Sequence, residues 1–145
     1  MLAILLRSAG LAAAISTAAL AQDTVPDLKG TWSGVARSVV VGSGYHHPGT
    51  ETDKEPPRFR EVRFTYTVRQ DGRLLWGTTS SPAFEEPFTW AISQDNRTIV
   101  GSDMDGSYRL TILGPNHIEN CYTHGGLSPS KSIVASCFII ERAGR

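Results

Sequence analysis

Between Gly30 and Glu141 apolar and polar residues alternate in eight short segments, and no stretch carries the three-to-four-residue spacing of a helix. The cleanest is 61–69, where Val62, Phe64, Tyr66 and Val68 share one face and Glu61, Arg63, Thr65, Thr67 and Arg69 the other. Such alternation predicts a strand with one dry side and one wet side. Similar segments run over 28–41, 73–80, 84–93 and 97–103, then from Gly106 through Ile112, over 116–124 and over 132–141. Between them stand strong turn signals, among them Gln70-Asp71-Gly72, Gln94-Asp95-Asn96 and Gly114-Pro115-Asn116. On the third segment Leu74, Trp76 and Thr78 share a face, and on the fourth Phe88, Trp90 and Ile92 do. Pro87 implies that pairing of the fourth strand begins late or at an edge. The last segment is apolar on both faces and is expected to be the most buried.

Eight sequential strands joined by tight turns predict an all-β fold, an eight-stranded antiparallel up-and-down (meander) β-barrel, because closure removes the exposed edges of a sheet. An interior of this size is either filled by side chains or holds one small ligand. One connection breaks the rule of short turns. Residues 42–58 hold three glycines, three prolines and the charged run Glu51-Thr-Asp-Lys-Glu55, too long for an ordinary turn and so the best structural invitation to function.

The chain ahead of the barrel divides in two. Met1–Ala21 has a short basic start at Arg7, an Ala-rich apolar stretch and Ala19-Leu20-Ala21 before polar Gln22, the pattern of a cleaved signal peptide. Its apolar run is shorter than the roughly 20 residues of a bilayer span, so no membrane span is expected after cleavage. Residues 22–29 read as a polar, mobile leader, and 30–145 as a single barrel domain in the periplasm or secreted medium. Of 145 residues 124 remain, with 13 Lys and Arg against 14 Asp and Glu, a balance that gives no electrostatic ground for nucleic acid as partner. The two cysteines, Cys121 and Cys137, allow one connectivity, and antiparallel pairing of the last two strands sets them opposite one another. They are expected to form a structural disulfide.

Gly30-Thr31-Trp32-Ser33-Gly34 resembles the Gly-x-Trp opening of calycin barrels, the lipocalins, fatty-acid-binding proteins and avidins. The resemblance implies that Trp32 begins the first strand and plugs the closed end of an eight-stranded barrel. The Gln-Asp-Gly turn within Phe64–Leu75, the Asp-Gly at 105–106 and the paired cysteines also resemble a group of small exported bacterial proteins of unknown function, and this implies no activity.

Candidate chemistry is sparse. Trp32, Tyr66, Trp76, Trp90, Tyr108 and Tyr122 could line a ligand cavity, or fill a core. His46 and His47 in the long loop are the best polar constellation, able to shuttle protons or meet a ligand, though neighbours on an extended chain point apart. His117 and His124 lie on opposite faces of one strand. Asp103-Met-Asp-Gly106 opens like a calcium loop, but Ser107 stands where a third carboxylate belongs and no Glu follows at position 12, so it reads as a turn. Glu85-Glu86 reads as the solvated start of a strand. No metal site, cofactor, catalytic residue or nucleophile with its base is marked. The expectation is a non-enzymatic binding module for a small hydrophobic or aromatic ligand or for a protein partner. The alternatives are a barrel-pocket cyclase or isomerase, and an envelope inhibitor or interaction protein with a filled core.

Overall fold

The computed structural model describes residues 24–43, 56–125 and 132–144. Eight strands, β1 (Gly30–Val41), β2 (Arg58–Asp71), β3 (Leu74–Ser80), β4 (Glu85–Ile92), β5 (Thr98–Ser102), β6 (Gly106–Gly114), β7 (His117–Gly125) and β8 (Ile133–Arg142), follow one another around a closed antiparallel barrel. Every neighbour in sequence is a neighbour in space, and β8 closes onto β1 through Ser33↔Glu141 and Ser38↔Ser136. The up-and-down barrel expected from the alternation is present, and no described residue is helical. Residues 44–55, including His46 and His47, lie outside the described residues.

Register turns alternation into an inside and an outside. The pairs Tyr66↔Thr79, Val68↔Gly77 and Gln70↔Leu75 send Leu75, Gly77 and Thr79 inward with Tyr66 and Val68, because directly paired residues share a face. Trp76 is therefore outward and 41 % exposed. Expected on the ligand face, it is on the other one: β3 begins with two leucines, and the partner strand decides which goes in. On β8, Val134, Phe138 and Ile140 are buried while Ile133 and Ile139 are 58 % and 41 % exposed. That strand is not the most buried, since in a single-layer barrel its outer face has nothing to pack against. Pro87 pairs with Thr78 on β3, whereas pairing of β4 with β5 starts only at Thr89↔Ser102. Its missing N–H thus falls where β4 has no ladder to join.

The two ends of the barrel differ. At the end where β1 starts and β8 finishes, Trp32 is fully buried, and its indole N–H donates to the carbonyl of Leu28 at 2.9 Å. The Arg142 guanidinium lies 4.3 Å from the centre of the Trp32 ring and donates to the carbonyls of Lys29 and Asp27. Gln70 donates to Pro26 O and accepts from the Leu28 amide. Residues 26–29 are thus fastened across this end instead of forming the mobile leader their polarity suggested, and Leu28 belongs to the core. Above them Leu75, Phe88, Ile92, Ile99, Leu110, Ile118 and Ile140 fill the interior. Strand contact here is close: a Cβ on Gly77 would stand 1.8 Å from the Thr67 carbonyl oxygen.

The expected disulfide is present between Cys121 and Cys137, directly opposed on β7 and β8. It faces outward and joins strands whose inner faces the core already holds. Such a bond fits an oxidising compartment. Among the described residues no helix is long and apolar enough to cross a membrane.

Candidate functional site

At the opposite end, called the mouth, the interior is not filled. A cavity of about 40 Å3 is lined by aromatic residues of four strands and by Phe84, together with Glu86, Asp103 and Asp105. That is the room of one or two water molecules, far below what a lipid or a ring system needs. Tyr66, Tyr108 and Tyr122 line it; Trp32 and Trp90 lie in the packed part of the core, and Trp76 is outside. The aromatic set named from sequence therefore splits three ways.

Short β5 is what brings the acids together. Because β5 stops at Ser102 while β4 begins at Glu85, the connection 103–105 folds beside the start of β4, which pairs with β3 but not with β5. Glu86 has the same parity as Phe88, Trp90 and Ile92 and points inward with them. Oxygens of Glu86, Asp103 and Asp105 come within 4.8 Å of one another, close enough to share one positive charge.

Asp103 and Asp105 are held by protein donors. Asp103 Oδ1 accepts from the amides of Asp105 and Gly106 at 3.2 and 2.7 Å, and Oδ2 from the Tyr108 hydroxyl at 2.7 Å. Asp105 Oδ1 accepts from the Tyr122 hydroxyl at 2.9 Å. Its other oxygen lies 3.1 Å from His124 Nδ1, at ion-pair distance though off the hydrogen-bond line. Tyr122 reaches across because residue 106 is glycine, where a Cβ would stand 2.1 Å from the phenol oxygen. Burial pushes the acidities of Tyr66, Tyr108 and Tyr122 down, and the nearby carboxylates add to this, so all three remain phenols, of which Tyr108 and Tyr122 donate to the carboxylates. For Glu86, burial and then the charges of Asp103 and Asp105 raise the pKa from 4.5 to about 7.

Two further polar groups stand behind the cavity. Asn120, fully buried, donates to the Tyr66 hydroxyl at 2.9 Å, and its own Oδ1 has no partner among the described residues. Buried Ser132 Oγ lies 3.4 Å from His124 Nε2, giving the order Ser132, His124, Asp105. That order is the one a nucleophile, its base and an orienting acid would take. Ser132 is nevertheless wholly buried and does not line the cavity, so in this arrangement the array braces Asp105 and presents no nucleophile to solvent.

Sequence alone sets Glu86, Asp103, Asp105 and His124 aside as a strand start, a turn and a divergent histidine, and gives no notice of Asn120 or Ser132. A signal existed for three of them: Glu86 shares parity with the apolar face of β4, and Asn120 and His124 with Ile118 and Tyr122 on β7. A polar residue on a dry face near a strand end is what a barrel mouth looks like in sequence. His117 and His124 lie on opposite faces of β7, as expected, with His117 outside and 3.8 Å from Glu141. No protein-family model matches this chain, and no curated protein matches its sequence.

Proposed function

We propose that this is an exported, calycin-like barrel acting as a non-enzymatic binding module, with its site at the mouth and its compartment the periplasm or secreted medium. The observation that carries the reading is the contrast within one interior: core side chains fill it up to Phe88 and Leu110, then leave a cavity walled by aromatics and carboxylates. Partial burial of Glu86 and then the like charges of Asp103 and Asp105 beside it cost stability, and such costs gather at functional sites. The small volume refines the ligand: only a head group enters, while any apolar body lies between Phe64, Phe84 and Phe138. Trp32 at the sealed end and the eight-strand meander support the calycin likeness, and the disulfide and the Ala19-Leu20-Ala21 pattern support export. Native mass spectrometry of protein isolated from the cells that make it tests the reading, beside a Ser136→Trp variant that fills the cavity. A bound small molecule lost in the variant is the expected result. An unliganded protein that also ignores a library of small fragments would contradict it.

A further inference from the structure

We propose that the outer face of β2, β1 and β8 around Val39 is the contact through which two copies of this chain form a two-fold dimer. The proposal is independent of the mouth and uses none of its residues.

Further along β2 the outer face is what a solvated barrel needs, with Arg63, Thr65, Thr67 and Arg69 in succession. Near Val39 that changes. Val39 pairs directly with Phe59 on one side and with Ala135 on the other, and Val41 pairs with Ile133. Directly paired residues share a face, so these side chains make one apolar surface across three strands. Phe59 is 84 % exposed, Ile133 58 % and Val39 38 %. Exposed apolar residues scattered singly are ordinary on a surface, but a contiguous group marks an interaction site.

The occupant follows from the shape and charge of this face. Its largest side chain, Phe59, and its smallest, Ala135, flank Val39 one strand away on either side. A two-fold axis lying in the interface along β1 at Val39 sets each Phe59 over the partner's Ala135, and both contacts form at once. A shallow groove lined by Arg37, Val39, Ala135 and Cys137 runs beside Phe59 and has room for the partner's ring. The next outward pair along the two strands is Arg37 and Glu61, both exposed and 3.8 Å apart. One charge of each sign at the rim lets two identical faces pair their charges crosswise, whereas a strongly acidic or basic partner meets as much repulsion as attraction. Self-complementarity of this kind selects a second copy.

Area agrees with shape. The exposed parts of these apolar side chains come to roughly 400 Å2, half of the ~800 Å2 per partner of a standard interface and near the apolar share such interfaces hold. The Cys121–Cys137 disulfide ties β8 to β7 directly beside the face, so little has to be ordered on contact.

The test is sedimentation velocity of the disulfide-bonded protein from about 1 to 300 µM, on the wild type and on Phe59→Glu, Arg37→Glu and Glu61→Arg. All three positions are exposed, and circular dichroism checks that each variant keeps the fold. The expected result is a reversible dimer with a Kd on the order of micromolar, weakened about 30-fold or more in F59E. R37E and E61R should each associate more weakly than the wild type, and an equimolar mixture of the two should recover the dimer, because one copy then presents only acids and the other only bases. A dimer indifferent to F59E lies elsewhere on the barrel and overturns the proposal, as do R37E and E61R that fail to recover on mixing. A wild-type monomer at every concentration also overturns it. In that case a soluble paramagnetic probe decides what covers the face: a shielded Phe59 ring means another part of this chain, an accessible one a different partner.

Discussion

The sealed end and the mouth of this barrel are built from the same eight strands and the same alternation, yet they treat charge in opposite ways. At the sealed end the Arg142 guanidinium lies over Trp32 with its donors on the carbonyls of residues 27 and 29, so its charge is spent on closing the barrel. At the mouth three carboxylates crowd together and Glu86 holds its proton up to about neutral pH. One end gains stability from each group it buries. The other carries groups that a purely structural design would omit.

The largest break in this comparison should come at Trp32. Replacing it with alanine removes the core's plug and the platform for Arg142, and should cost about 3–5 kcal/mol in urea unfolding. Next is the staple: Cys121→Ser with Cys137→Ser opens a link across a sequence separation of 16 and should cost about 3 kcal/mol, with the fold retained by circular dichroism. Arg142→Met keeps the stem and loses the donors and the cation–ring contact, and should cost about 1–2 kcal/mol. The smallest effect has the opposite sign. Glu86→Gln should leave stability unchanged at pH 4 and raise it above pH 7 by about 1 kcal/mol or less, given how much of the carboxyl still meets solvent.

The pH window of that last effect is set by Glu86 itself. With its folded pKa near 7 and its unfolded value near 4.5, the native state holds the extra proton between those values, so wild-type stability falls as pH rises through the window and E86Q should lack the fall. The groups facing Glu86 are Asp103 and Asp105 from the β5–β6 connection, with Tyr108 on β6, Tyr122 and His124 on β7 and Tyr66 on β2 behind them.

Strand number, order and the disulfide were legible in the sequence because each depends on local parity. Val62 through Val68 alternate without ambiguity, and Cys121 and Cys137 are equidistant from the centre of one hairpin. Trp76 was misplaced because Leu74, Leu75 and Trp76 are all apolar, leaving its face to be decided by register with β2. The mouth was least legible. Glu86 and Asp103 are far apart along the chain and look like a strand start and a turn; they meet only because β5 is short and the barrel closes. His46 and His47, adjacent and conspicuous in sequence, lie outside the described residues.

The central claim is that the mouth, and not the outer surface or the sealed end, is where this protein meets its ligand. Amide and aromatic NMR spectra, recorded with and without the small molecule that co-purifies with the protein, test it most directly. The account predicts shifts confined to Tyr66, Glu86, Asp103, Tyr108, Tyr122 and Phe138, with Trp32 and Arg142 unmoved. Shifts gathered around exposed Phe59, Val39 and Ile133, or around the Trp32 end, would contradict it.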